Sequence, residues 1–77
     1  MKINVLLFGN LADKAGKSSF SVEDVHDIND LMNKLKSQFT FLVNSRYVIA
    51  KNQKIVRDNA LLNDGDEIAI LPPFAGG

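Results

Sequence analysis

"HDINDLMNKLKSQF", residues 26–39, is the stretch whose reading decides the fold. Ile28, Leu31, Met32, Leu35 and Phe39 fall at i, i+3, i+4, i+7 and i+11, which makes one apolar stripe along a helix. Asp27 is a natural N-cap and Asp30 lies in the first turn, while Lys34 and Lys36 lie toward the other end. That charge order suits the helix dipole. The spacing predicts a helix over residues 28–38. One stripe of this kind has to be buried against something, and the flanking sequence says what.

On both sides of this helix the pattern changes to strands. "KINVLLF" (Lys2 to Phe8) is a β-rich apolar run with Ile3, Val5 and Leu7 on one face. Leu6 and Phe8 share the other face with Asn4, so both sides of this strand are candidates for covering. "NLADKAGK" follows, where Asn10 can cap a short helical turn and Gly16 can end it. "SSFSVE" alternates, with Phe20 and Val22 on one face, and reads as a strand pairing back on the first. After the helix, "RYVIAK" (Arg46 to Lys51) and "KIV" (Lys54 to Val56) read as a hairpin through Asn52 and Gln53. "LLNDGDE" is a turn in which Gly65 takes a positive φ, and "EIAIL" (Glu67 to Leu71) is the last strand. The order is β, β, α, β, β, β. One helix laid across one face of a mixed sheet of about five strands is the economical way to bury both apolar surfaces. This is an α+β chain in the β-grasp, ubiquitin-like arrangement, with a domain over residues 1–71 and an extended tail over 72–77.

Composition narrows the function classes. The chain has 77 residues, enough for one small core. Its 9 basic and 9 acidic residues cancel, with no basic excess of the kind that binds nucleic acid. No apolar run reaches the roughly 18 residues a membrane span needs, and "MKINVLLFGN" lacks the length and cleavage site of a signal peptide. The expected location is the cytoplasm. There is no cysteine, which excludes disulfides, thiolate metal sites and a cysteine nucleophile. His26 is the single histidine and builds no metal site alone. No bound cofactor and no metal are expected.

The chemistry points to "PPFAGG", residues 72–77. Pro72 and Pro73 fix φ and favour an extended path, so the tail leaves in a set direction. Six residues reach roughly 18–22 Å when extended. Phe74 can anchor the middle of that reach in a partner. Gly76 and Gly77 have no Cβ, so they fit a narrow channel and present the carboxyl group unhindered. A free carboxylate is a poor electrophile. Adenylation by ATP would leave an anhydride open to attack, and a sulfur nucleophile would then give a thiocarboxylate.

"LLNDGDEIAILPPFAGG", with "INVLLFGNLADKAG" at the start and "IAKNQKIV" in the middle, resembles the small subunit of molybdopterin synthase, the MoaD family. The most specific part is the "DGDE…PP" ending with its Gly-Gly. The resemblance implies a ubiquitin-like sulfur carrier whose terminal glycine is activated by a MoeB-like adenylating enzyme using ATP, then thiolated. It further implies that the thiocarboxylate enters a MoaE-like large subunit, in an assembly of two small and two large subunits, and gives its sulfur to the dithiolene of molybdopterin. The catalytic pocket would belong to that large subunit. Carried over by position, Gly77 is the thiocarboxylate residue and Gly76 the channel-fitting one. Phe8, Leu62 and Leu71 sit where the family places apolar contacts to partners, with Phe74 a looser match. "SQFTFLVNSRY" is shorter than in some members, so the helix-to-strand loop is where the resemblance is weakest.

Other readings compete with each feature. A terminal Gly-Gly alone is weak, and its meaning comes from the proline pair and the fold pattern together. Phe8 is as readily core as surface, whereas Leu62, next to a turn, is expected to be partly exposed. "NDGDE" carries two aspartates but too few ligands for a calcium loop, so it reads as a turn. Functionally, the rivals are a sulfur carrier for thiazole synthesis (ThiS-like), a protein modifier joined to lysines, and a β-grasp interaction module without chemistry.

Overall fold

The computed structural model describes residues 1–73, so Phe74, Ala75, Gly76 and Gly77 lie outside the described residues. Its elements are β1 (Lys2–Leu7), α1 (Gly9–Ala15), β2 (Ser19–Glu23), α2 (Ile28–Gln38), a 3-10 turn (Thr40–Asn44), β3 (Val48–Lys51), β4 (Lys54–Val56) and β5 (Glu67–Leu71). The five strands form one mixed sheet in the order β2-β1-β5-β3-β4. β1 and β5 run parallel at its centre, Val5 beside Ile68 and Leu7 beside Ile70, and the outer pairs are antiparallel. A parallel central pair joined by the whole intervening chain is the β-grasp topology expected from the element order.

Because side chains alternate along a strand, each strand offers one face to α2. Ile3, Val5, Leu7, Val22, Ile68 and Ile70 point to it and are buried, meeting Ile28, Leu31, Met32 and Leu35 from the helix stripe. Leu11 of α1 and Leu42 of the 3-10 turn close the core. α2 begins where the sequence places it. The Asp27 carboxylate accepts the Asp30 N–H at 2.7 Å, satisfying an otherwise unpaired first-turn donor, and the Asp30 carboxylate reaches back to the N–H of His26, the residue before the cap, at 3.0 Å.

Three local expectations need correcting. The segment after β1 forms a two-turn helix, and the residue at its N-cap is Phe8, with no side-chain cap, rather than Asn10. Gly16 does end that helix, in the left-handed region at φ 77°. Strand pairing stops at Leu7 and starts at Val48, so Phe8, Arg46 and Tyr47 lie outside the strands. The stretch 40–44, read as loop, winds into a 3-10 turn that buries Leu42.

Candidate functional site

β5 is the strand that leads to the tail, and its start is locked by polar contacts. The Asp66 carboxylate accepts the Asn63 N–H at 2.8 Å and the Asn52 side-chain amide at 3.1 Å, with the Lys51 ammonium 4.0 Å away. The Asn63 N–H and then the Asn52 amide hold the Asp66 carboxyl below its ordinary value, against the opposing effect of burial. Asn52 also accepts the Glu67 N–H at 2.9 Å and donates its own N–H to the Glu67 carbonyl at 2.8 Å. Asn4 N–H donates to the Asp66 carbonyl, and Gly65 N–H to the Lys2 carbonyl. Together these contacts fix where β5 starts, and therefore how far along the sheet it ends.

At the other end, Leu71 pairs with Val48, and Pro72 and Pro73 have no N–H with which to extend the ladder. Pro72 lies against Gly9. A Cβ placed on Gly9 would sit 3.1 Å from the Pro72 ring, and Gly9 holds φ +57°, a conformation that side chains disfavour. The chain therefore leaves the middle of the sheet between the β1–α1 corner and the segment entering β3. The close approach of Gly9 is what lets it pass there.

Beside this exit lies the face of the sheet that α2 leaves open. Pairing puts Leu6, Ala69, Leu71, Ala50 and Ile55 on it, and together with Phe8 they line one shallow apolar hollow bordered by Gln53 and Glu67. Phe8 is 43% exposed and Ile55 52% exposed. An apolar surface this continuous on a small domain, touching the root of the tail, has the composition of a docking site. Phe8 and Leu71, both expected from the sequence, are brought together here. Leu62 is not. It is only 4% exposed and belongs to the core, while its neighbour Leu61 is the exposed leucine at 75%. The bridge that pairs Leu61 with Asp27, and the Leu62 N–H donated to the His26 carbonyl, fix the chain so that residue 62 points inward. Phe74, Gly76 and Gly77 lie outside the described residues.

Sequence reasoning missed Leu6, Ala50, Ile55, Ala69 and Gly9 as parts of this site. The signal for the first four is the alternation itself: on the unclaimed face the positions toward the tail end of β1 and β5 (Leu6, Ala69, Leu71) and those of β3 and β4 (Val48, Ala50, Ile55) are apolar, while Lys2, Asn4 and Glu67 make the same face polar toward the other end. Among the described residues, no group of three or more His, Asp or Glu side chains is placed to hold a metal ion. No helix of the described residues is long and apolar enough to cross a membrane.

Comparison with known proteins agrees with this geometry. Residues 5–77 match the model of the ThiS family. The chain is similar to the molybdopterin synthase sulfur carrier subunit of Mycobacterium tuberculosis, 33% identical over 100% of this chain and 99% of that one. Among solved structures, the small archaeal modifier protein 1 of Methanosarcina acetivorans superposes with a TM-score of 0.82 at 27% identity, over 99% of this chain and 96% of that one. The complex of subunits 1 and 2 of the molybdopterin-converting factor of Helicobacter pylori contains a chain that matches with a TM-score of 0.75 at 28% identity, each chain covered fully.

Proposed function

This chain belongs to the ThiS family, and from that premise we propose that it is the sulfur-carrier small subunit of a molybdopterin synthase. The observation that carries the reading is the end-to-end similarity to a molybdopterin synthase sulfur carrier subunit. The exit geometry supports it, because β5 is held at its start and its end aims a proline-stiffened segment away from the sheet beside an apolar docking face. In this reading a Gly77 carboxylate oxygen attacks the α-phosphorus of ATP and releases pyrophosphate, on a MoeB-like enzyme. A sulfur nucleophile then displaces AMP, leaving the thiocarboxylate. The carrier docks by Phe8, Leu71 and the open sheet face on a MoaE-like large subunit; that a similar chain occurs in a complex of subunits 1 and 2 of a molybdopterin-converting factor supports a second-subunit partner. The tail enters that subunit and delivers sulfur to the pterin precursor, and water restores the carboxylate. This chemistry belongs in the cytoplasm, with ATP and the activating enzyme.

The test is to incubate the chain with its cognate adenylating enzyme, ATP and a sulfur donor, and to weigh it intact. Exchange of one oxygen for sulfur adds roughly 16 Da. Thiolated chain mixed with the large subunit and precursor should then yield dithiolene product, and a chain lacking Gly77 should yield none while keeping its fold. No mass increase with a competent enzyme would refute the reading.

A second reading is favoured by the likeness to an archaeal modifier protein: attachment of the same activated glycine to lysines of other proteins. Its signature is a lysine carrying the chain through an isopeptide bond, detectable by digestion and mass spectrometry. The two readings share the adenylate and part only at the attacking atom.

A further inference from the structure

The side chains sum to zero charge, yet the fold separates them. β1 and β5 both run toward the tail exit, and α2 also climbs from the far end toward it, since Phe39 beyond its last turn packs on Phe20 near the start of antiparallel β2. At the exit end lie Lys14 and Lys17 on the α1–β2 side, Lys36 in the last turn of α2, and Arg46 just before β3, with Asp13 the one acid. The far end holds Glu23, Asp24, Asp27, Asp30, Asp64, Asp66 and Glu67, with Lys2, Lys34, Lys51 and Lys54. By side chains the exit end therefore carries four bases against one acid, net +3, and the far end seven acids against four bases, net −3; the Met1 ammonium beside Asp24 and the tail carboxylate of the sulfur-carrier reading reduce these to +2 and −2. Adjacent Arg57 and Asp58 cancel. The α2 macrodipole opposes this separation by only about half a charge at each end.

Two of the exit-end charges, Lys14 and Lys17, are also held outside any ion pair of the described residues. Among the described residues the one ion pair joins Lys51 to Asp66, at the far end. Lys17 sits over the rings of Phe20 and Phe39 at 5.6 and 5.9 Å, and Lys14 over Phe41 at 6.0 Å, so their ammonium groups are placed by aromatic faces rather than by carboxylates. Two placed cations at the end of the sheet from which the tail departs, with bases in excess of acids there, give the approaching carrier a directed field.

We propose that the tail-exit end is a basic steering surface, and that the large subunit that receives the tail carries an acidic rim around its channel. The inference rests on the sulfur-carrier reading for the identity of the partner. Attraction between rim and exit end turns the carrier tail-first before the apolar sheet face makes contact. The effect enters through the encounter rate and leaves the dissociation of the docked state little changed.

The test is stopped-flow association of the whole chain with its cognate large subunit at salt concentrations from 20 to 500 mM. The association rate is expected to fall at least tenfold across that range, with the dissociation rate little changed, because screening shortens the reach of exposed charges from tens of ångströms to a few. The double variant Lys14→Glu/Lys17→Glu is expected to associate about 5–10-fold more slowly at 20 mM salt and to lose most of the salt dependence. Exposed Arg46→Glu, which makes none of the cation–aromatic contacts of Lys14 and Lys17, should reproduce part of that loss, while Lys54→Glu at the far end leaves the rate unchanged. A flat or rising rate with salt, or equal slowing by Lys54→Glu, overturns the proposal even if sulfur transfer proceeds. No association at any salt, with no dithiolene product, refutes the carrier reading and takes the steering proposal with it.

Discussion

Replacing Gly9 by valine tests whether the β1–α1 corner sets the path of the tail. Gly9 holds φ +57°, and a Cβ there already approaches the Pro72 ring to 3.1 Å. Valine adds two methyl carbons about 1.5 Å beyond that Cβ, into the space of the ring. Left-handed backbone costs a residue with a side chain about 1–2 kcal/mol, so total destabilisation of about 2 kcal/mol is expected. For a domain of this size that lowers Tm by about 8–16 °C, leaving the protein folded at 15 °C. To relieve the overlap Pro72 has to move by on the order of 1 Å, and misplacing a reacting group by that much costs about 100-fold in rate. The assay is single-turnover sulfur transfer from pre-thiolated carrier to saturating large subunit at 15 °C, with folding verified by circular dichroism. A 10- to 100-fold slower transfer is expected for Gly9→Val, and a smaller loss for Gly9→Ala. Leu35→Ala is the control. It opens a cavity in the core costing about 2–5 kcal/mol but leaves the exit untouched, so while folded it should transfer normally. A folded Gly9→Val chain that transfers at the wild-type rate would refute the reasoning.

Phe8→Ala should weaken binding to the large subunit by about 2–4 kcal/mol, roughly 30- to 1,000-fold in Kd by calorimetry, while changing stability by less than about 1 kcal/mol. Leu62→Ala should cost about 2–4 kcal/mol of stability in urea unfolding and Leu61→Ala less than about 0.5 kcal/mol, the contrast that buried and exposed neighbours demand. Asp66→Ala leaves the Asn63 N–H and Asn52 amide without their charged acceptor, so a loss of about 2 kcal/mol is expected, measured the same way. Asp66 and Asp27 both have depressed carboxyl values in the folded state. Asp27 owes its depression first to the Asp30 N–H and then to the Asn59 amide. A depressed carboxyl contributes stability that is fully present above its unfolded value of 3.8 and is lost as pH falls through the lower folded value. Unfolding midpoints should therefore be flat from pH 7 down to about 5 and drop below about 4. In Asp66→Ala that acid-side drop should be shallower.

What the sequence carried and what it withheld divide along one physical line. α2 was legible to the residue because its evidence is local: the 28–31–32–35 stripe, the Asp27 cap and the dipole-ordered charges all lie within one window. β4 and β5 were legible for the same reason, bounded by Asn52-Gln53 and by Gly65 and Pro72. What depends on partners distant along the chain was not. The inward turn of Leu62 is set by a bridge from Leu61 to Asp27 and by a backbone bond to His26, neither of which leaves a mark near residue 62. The contact of Gly9 with Pro72 joins residues 63 positions apart, and nothing around either one signals the other. The docking face is an intermediate case. Leu6, Ala69 and Ala50 each read as one half of an alternating strand, but which half meets the helix is decided by the pairing of β1 with β5 and β5 with β3. A single-residue slip of β5 against β1 would bury Ala69 and Leu71 and expose Ile68 and Ile70. The Asp66–Asn52 contacts that start β5 oppose that slip. The polar lock at one end of β5 thus selects which face the carrier offers and where its tail begins.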